Sequence, residues 1–140
     1  MKAFTTRLLL VFVVTSSCHA ADLAPGILSS KLKALAGPES QDCGSVPLGN
    51  DRRTTFTCAK HALAAGTAFR VALQYQGVDS FIWQGAARDE HGRLWLLSYD
   101  SDPSGGSQVG AVLNVASCSK IQVVAVQGRD DMNCTPASGP

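Results

Sequence analysis

An α+β fold is predicted for this chain: an N-terminal helix, or two, packed on a four- to five-stranded antiparallel meander and braced by disulfides. Three observations predict it. Apolar residues recur at helical spacing before Gly66 and alternate with small or polar residues after it. Short turns separate the alternating runs, as they separate consecutive antiparallel strands. Four cysteines follow an export-type leader.

The leader is residues 1–20. Lys2 and Arg7 give it a basic start, residues 8–14 are unbroken apolar, and small residues lead to a cut after Ala20. The apolar run is too short to span a bilayer, which takes about 20 residues. Thr-Ser-Ser-Cys can also be read as a lipoprotein site with Cys18 acylated. Thr15 stands where a large aliphatic residue is usual, so Cys18 is read as part of a discarded signal. The chain is thus expected to be secreted or periplasmic. The full sequence has 12 Lys plus Arg against 11 Asp plus Glu, and losing Lys2 and Arg7 leaves 10 against 11. That near-neutral balance, without a basic block, argues against nucleic acid. Arg52-Arg53, the remaining basic doublet, reads as a solvated helix start. No second transmembrane-length segment follows.

Residues 21–50 read as a loosely held N-terminal segment. Within it, 25–36 form a short amphipathic helix, with Pro25 at its first position, Ile27, Leu28, Leu32 and Leu35 near helical spacing, and Gly37-Pro38 as the stop. Pro, Gly, Ser and Asp dominate up to Asn50, which reads as loop. A single α+β domain follows over 51–134. Asn50 or Asp51 caps a second helix carrying Phe56, Ala59 and Leu63, and Gly66 closes it. Residues 69–75, 80–88 and 93–99 then read as strands, turned at 77–79 and 89–92. Residues 100–107 form a polar loop. Two further strands, 109–115 and 121–126, are separated by a turn around Cys118-Ser119. Residues 128–133 turn back towards Cys134, and 135–140 are a flexible tail. The Gly66-capped helix is the expected cover for the buried face of the sheet, leaving the other face wet.

Four cysteines allow three pairings. The local pairs Cys43–Cys58 and Cys118–Cys134 are favoured, each closing a short loop worth about 3 kcal/mol in the chain-entropy model. There is no Cys-x-x-Cys, and neither His61 nor His91 stands in zinc-like spacing with the cysteines. The sequence implies no cofactor and no metal.

The most distinctive segment is Tyr99-Asp100-Ser101-Asp102-Pro103-Ser104-Gly105-Gly106. Its Asp and Ser side chains suit hydrogen bonds to nearby amides in a turn. Calcium is the alternative, with Asp100 and Asp102 as first ligands, but the rest of an EF-hand pattern is missing. Asp79 is expected at the same end of the sheet. Ser80, His61 and Asp79 supply hydrolase residue types without a nucleophile-elbow motif. Phe81 and Trp83 share one parity, and Trp95 and Tyr99 share theirs. Trp95 and Tyr99 either form an exposed aromatic patch or pack in the core or under the N-terminal segment.

The order Cys43-Gly44, Cys58 on a helix, Asp79-Ser80, the 99–106 segment, Cys118 and Cys134 resembles a group of small secreted proteins of proteobacteria. They share four cysteines and a similar Tyr-Asp-Ser-Asp-Pro-Ser-Gly-Gly loop. The resemblance covers most of 43–134 and implies an exported bacterial domain; it brings no catalytic residue. The expected function is binding or accessory, with an envelope protein as partner and Trp95, Tyr99, Asp100 and Asp102 as the surface. The alternatives are a secreted hydrolase using Asp79, Asp100 or His61, and a calcium-stabilised structural protein.

Overall fold

The computed structural model describes residues 24–106, 110–126 and 129–138. The expected leader, its cut after Ala20 and Cys18 lie outside the described residues. Two helices and six strands follow in the order α1 (Gly26–Ala36), β1 (Gln41–Val46), α2 (Arg53–Ala65), β2 (Phe69–Gln76), β3 (Phe81–Arg88), β4 (Leu94–Asp100), β5 (Val112–Val126) and β6 (Arg129–Pro136). The strands form one sheet in chain order. β2 to β6 are an antiparallel meander, and β1 joins β2 in parallel. The fold is α+β, with β1–α2–β2 forming a crossover unit ahead of the meander.

Both faces of the sheet are covered, where one wet face was expected. On one face α2 sets Phe56, Ala59 and Ala62 against Phe69, Val71, Leu73 and Ala86. On the other, α1 sets Leu28, Leu32 and Ala36 against Ala72, Trp83, Ala87 and Leu97. The two periods explain this. Residues at i, i+4 and i+8 give α1 one stripe, and alternate residues of β2 and β3 supply two apolar faces rather than one. Gly85 lies directly under α1: a Cβ there would sit 2.9 Å from Leu32 Cδ1 and 3.3 Å from Leu28 Cδ1. Its bare backbone lets the helix approach. Ile27, expected in the stripe, is instead 59% exposed, because it points a quarter-turn away from Leu28.

α2 ends as predicted. Gly66 is left-handed (φ 70°, ψ 22°), and the Thr67 amide reaches back to the Ala62 carbonyl at 3.0 Å, the hydrogen bond of a Schellman cap. At its start, Arg52 holds the cap position and makes no side-chain cap bond; Asp51 Oδ1 accepts the Arg53 amide at 2.9 Å instead. Arg52 is more than a solvated charge. Its guanidinium lies 4.5 Å from the Tyr75 ring centroid and donates to the Gln74 carbonyl. Arg53 is exposed and pairs with Asp51 at 3.4 Å.

Four stretches of the chain also differ from expectation. Residues 41–46, expected in a loop, form edge strand β1. The strand is hidden in the sequence by a bulge between Asp42 and Ser45, where Gly44 takes φ 96° and Asp42 Oδ1 accepts its amide. The two strands and turn expected over 109–126 are one strand, β5, from Val112. A register shift between Cys118 and Lys120 lets Cys118 and Ile121, three apart, join the same core. Residues 129–133, expected in a turn, open β6; Met132 is buried there although its neighbours are polar. β6 continues through Thr135 and Pro136, and the Ala137 amide donates to the Ser117 carbonyl at 3.1 Å, so the chain stays paired past the expected start of the tail.

Disulfides Cys43–Cys58 and Cys118–Cys134 both form, each with Cα atoms 5.5 Å apart. The first ties β1 to α2 and the second ties β5 to β6. The sheet also coils enough for its far strands to meet. The Tyr75 hydroxyl on β2 donates to Asp131 Oδ1 on β6 (3.3 Å), and Gln84 Nε2 on β3 donates to the Met132 carbonyl (3.3 Å). Burial, then the Asp131 charge, push the Tyr75 hydroxyl up to about 12, the nearby Arg52 only partly offsetting them. Among the described residues no helix is long and apolar enough to cross a membrane.

Candidate functional site

The sheet runs past the first turn of α1, and that overhang makes a cleft. Gln74, Trp83 and Tyr99 are consecutive partners across β2, β3 and β4, and Phe81 lies one pleat further out. All project on the α1 side by strand alternation. Ala24 and Pro25, leading into α1, form one wall, and Pro47, following β1, forms another. Ser101 closes the rim, holding the start of β3 through two hydrogen bonds: its Oγ accepts the Phe81 amide at 2.9 Å, and its own amide donates to the Phe81 carbonyl at 3.1 Å. The cleft is shallow and wide open to solvent, with a volume of about 470 Å³. This lies in the range of small-ligand pockets, about 300–1,000 Å³. The floor is three aromatic rings, and none of the lining side chains carries a charge. Phe81 is 56% exposed at the mouth.

Of the aromatic pair expected to form one patch, only Tyr99 lines this cleft. Trp95 is four residues away on the same face, about 13 Å along the strand. It packs at the edge of the α1 core, with the Arg93 guanidinium 5.4 Å from its ring centroid. Both rings face away from α2 and sit half-buried against the α1 cluster.

Asp100 and Asp102 shape the loop. Asp100 Oδ1 accepts the Asp102 amide at 3.0 Å, and Asp102 Oδ2 accepts the Gly106 amide at 2.8 Å. Asp79 approaches from the β2–β3 turn, its Oδ2 3.6 Å from where a Gly105 Cβ would be. The three carboxylates therefore share one end of the sheet. Among the described residues, however, no three His, Cys, Asp or Glu side chains are grouped so as to hold a metal. His61 is on the exposed side of α2, and neither Asp79 nor Ser80 shares a hydrogen bond with it. His91 is exposed in the β3–β4 turn and pairs with Glu90 at 3.5 Å.

That turn borders a second, smaller cleft of about 270 Å³, beside the C-terminal end of α1. Its buried carboxylate, Asp89, is engaged locally. Asp89 accepts the amides of His91 (3.0 Å) and Arg93 (2.8 Å) and the Arg93 Nε–H (2.7 Å). Burial alone raises this carboxyl, but the Arg93 side chain and amide, with the His91 amide, hold it below the usual aspartate value.

Of the binding residues expected from the sequence, Tyr99 lines the main cleft and Trp95, Asp100 and Asp102 do not; Phe81 and Trp83 were read only as strand aromatics, and the walls were not foreseen. Pro25 and Pro47 come from a helix entry and a strand exit that only the packing of α1 and β1 brings over Trp83. Comparison with family models, curated proteins and solved structures finds no match to this chain.

Proposed function

We propose that this is a small exported binding or accessory protein of the bacterial cell envelope, with the aromatic cleft as its binding surface. One observation carries the reading: a broad, open, uncharged groove floored by Phe81, Trp83 and Tyr99 on a doubly covered sheet. Aromatic rings in a pocket give large contact area for little lost side-chain entropy, which suits binding. Catalysis by acid–base or nucleophilic steps needs titratable or activated groups converging where the substrate sits, and this lining has no charged group. The leader and the two disulfides support an oxidising compartment, as does the resemblance to secreted proteobacterial proteins.

Crosslinked capture from the cell envelope tests it, with the oxidised chain and its Tyr99→Ala and Trp95→Ala variants as separate baits. The expected result is specific capture that Tyr99→Ala abolishes and Trp95→Ala retains. Capture indifferent to Tyr99→Ala, in a variant that melts like the parent, contradicts the assignment of the surface.

A further inference from the structure

The open edges of the sheet differ in what guards them. β1 is blunted by the bulge at Gly44 and by Asp42, and β6 begins with Arg129, Asp130 and Asp131. A third edge is the first half of β5. β6 pairs with β5 only from Cys118 onward, so residues 112–117 have β4 on one side and, among the described residues, no strand on the other. This stretch, Val-Leu-Asn-Val-Ala-Ser, holds no charge, no proline and no bulge, the devices that keep a native edge from pairing. Val115 is 42% exposed within it. A bond at its end sets the phase. The Ser117 carbonyl accepts the Ala137 amide at 3.1 Å, so residue 117 turns its backbone groups away from β4. By alternation Val115 and Leu113 do the same, while Asn114 and Ala116 turn theirs to Ser98 and Leu96. The open N–H and C=O groups therefore belong to Leu113 and Val115.

We propose that this edge pairs with the same edge of a second copy, antiparallel, about a two-fold axis at Asn114. That register sets Leu113 opposite Val115 of the second copy, and the reverse, and closes about four hydrogen bonds with every open group used. A shift of two residues would bring in Ser117, whose carbonyl is committed. Two features select a copy of this strand over another occupant. Ordering a flexible peptide costs about 1–2 kcal/mol of backbone entropy per residue, against about 1 kcal/mol net per hydrogen bond, so a ladder this short does not hold one. A second β5 is already held extended by β4 and escapes that cost. The side chains are also self-complementary. Pairing a charged edge with itself repels. Here Val115 meets Leu113 on the α1 side, and Asn114 meets its own twin on the other, where an amide both donates and accepts. The axis crosses the sheet, so the α1 faces of the two copies join. The half-buried row of Trp95, Tyr99 and Leu113 in each then borders one wider face. The pairing does not depend on what the cleft binds.

Sedimentation equilibrium of the oxidised chain over about 5–500 μM tests it, with Asn114→Lys, Val115→Pro and Asn133→Lys as variants. Asn114 is exposed, and lysine there meets its own charge across the axis. Proline at 115 removes an N–H that points away from β4 and spares the internal ladder. Asn133→Lys puts the same charge on exposed β6. The expected result is a monomer–dimer equilibrium with a Kd of about 10–100 μM, weakened about 10-fold or more by Asn114→Lys and Val115→Pro and unchanged by Asn133→Lys. A chain monomeric throughout, or a dimer indifferent to Asn114→Lys, overturns the proposal. Where Val115→Pro fails to fold, Asn114→Lys decides alone. Asn114→Cys is further expected to crosslink to its twin on mild oxidation, and Val78→Cys, at a 95% exposed turn position, is not. Equal crosslinking of the two overturns the register.

Discussion

Two residues set local geometry in ways that can be measured. Gly85 admits α1 to the sheet, since any Cβ there meets Leu32 and Leu28. Gly85→Val is expected to overpack this contact and lower stability by about 1–3 kcal/mol, read as a lower urea midpoint. An unchanged midpoint would mean that α1 shifts freely. Asp89 organises the β3–β4 turn by accepting from His91 and Arg93. Asp89→Asn is expected to cost about 2 kcal/mol at neutral pH, the scale of a charged hydrogen bond. The sign of its pH dependence follows from the lowered folded-state pKa. The stabilisation is fully present above the unfolded aspartate value, about 4, and is lost as pH falls through the lower folded value. The gap between parent and variant should therefore stay constant from pH 7 to about 5 and close in stronger acid. A gap that widens in acid contradicts the assignment.

At the scale of elements, the disulfides act on different joints. Cys43–Cys58 holds an edge strand that has one neighbour in the sheet, β2. Replacing both cysteines by alanine is expected to cost about 3 kcal/mol, from the 15-residue separation they close. It should also speed amide exchange in β1 before β3 and β4, whose strands are paired on both sides. Uniform exchange across the sheet would contradict that order. What the sequence made legible follows the same division. β2, β3 and β4 were readable because their alternation is unbroken, and α2 because Gly66 marks its end. β1 was not, because a bulge at Gly44 breaks the period in a six-residue strand. The bulge after Cys118 split β5 into two apparent strands, and the polar run around Met132 looked like a turn. The cysteine pairs were legible because both are local in the chain.

At the scale of the molecule, the cleft exists because α1 is shorter than the sheet it covers. Of the aromatic residues of its floor, the sequence singled out Tyr99 for a binding surface and marked Phe81 and Trp83 only as residues of one strand face. Their neighbours could not be named, since which face α1 takes depends on Gly85 and on Ala72 and Ala87 beneath the helix. This is also why Tyr99 and Trp95, equal by parity, end in different surroundings. The proposal that the protein acts by binding through this cleft can be tested in cells. The most direct test puts a photo-crosslinking phenylalanine analogue in place of Phe81, at the cleft mouth, and separately in place of His61, on the exposed side of α2. Both chains are irradiated in intact cells. A discrete crosslinked product is expected from the Phe81 position and none from the His61 position. A product from the His61 position alone, or from neither, would contradict it.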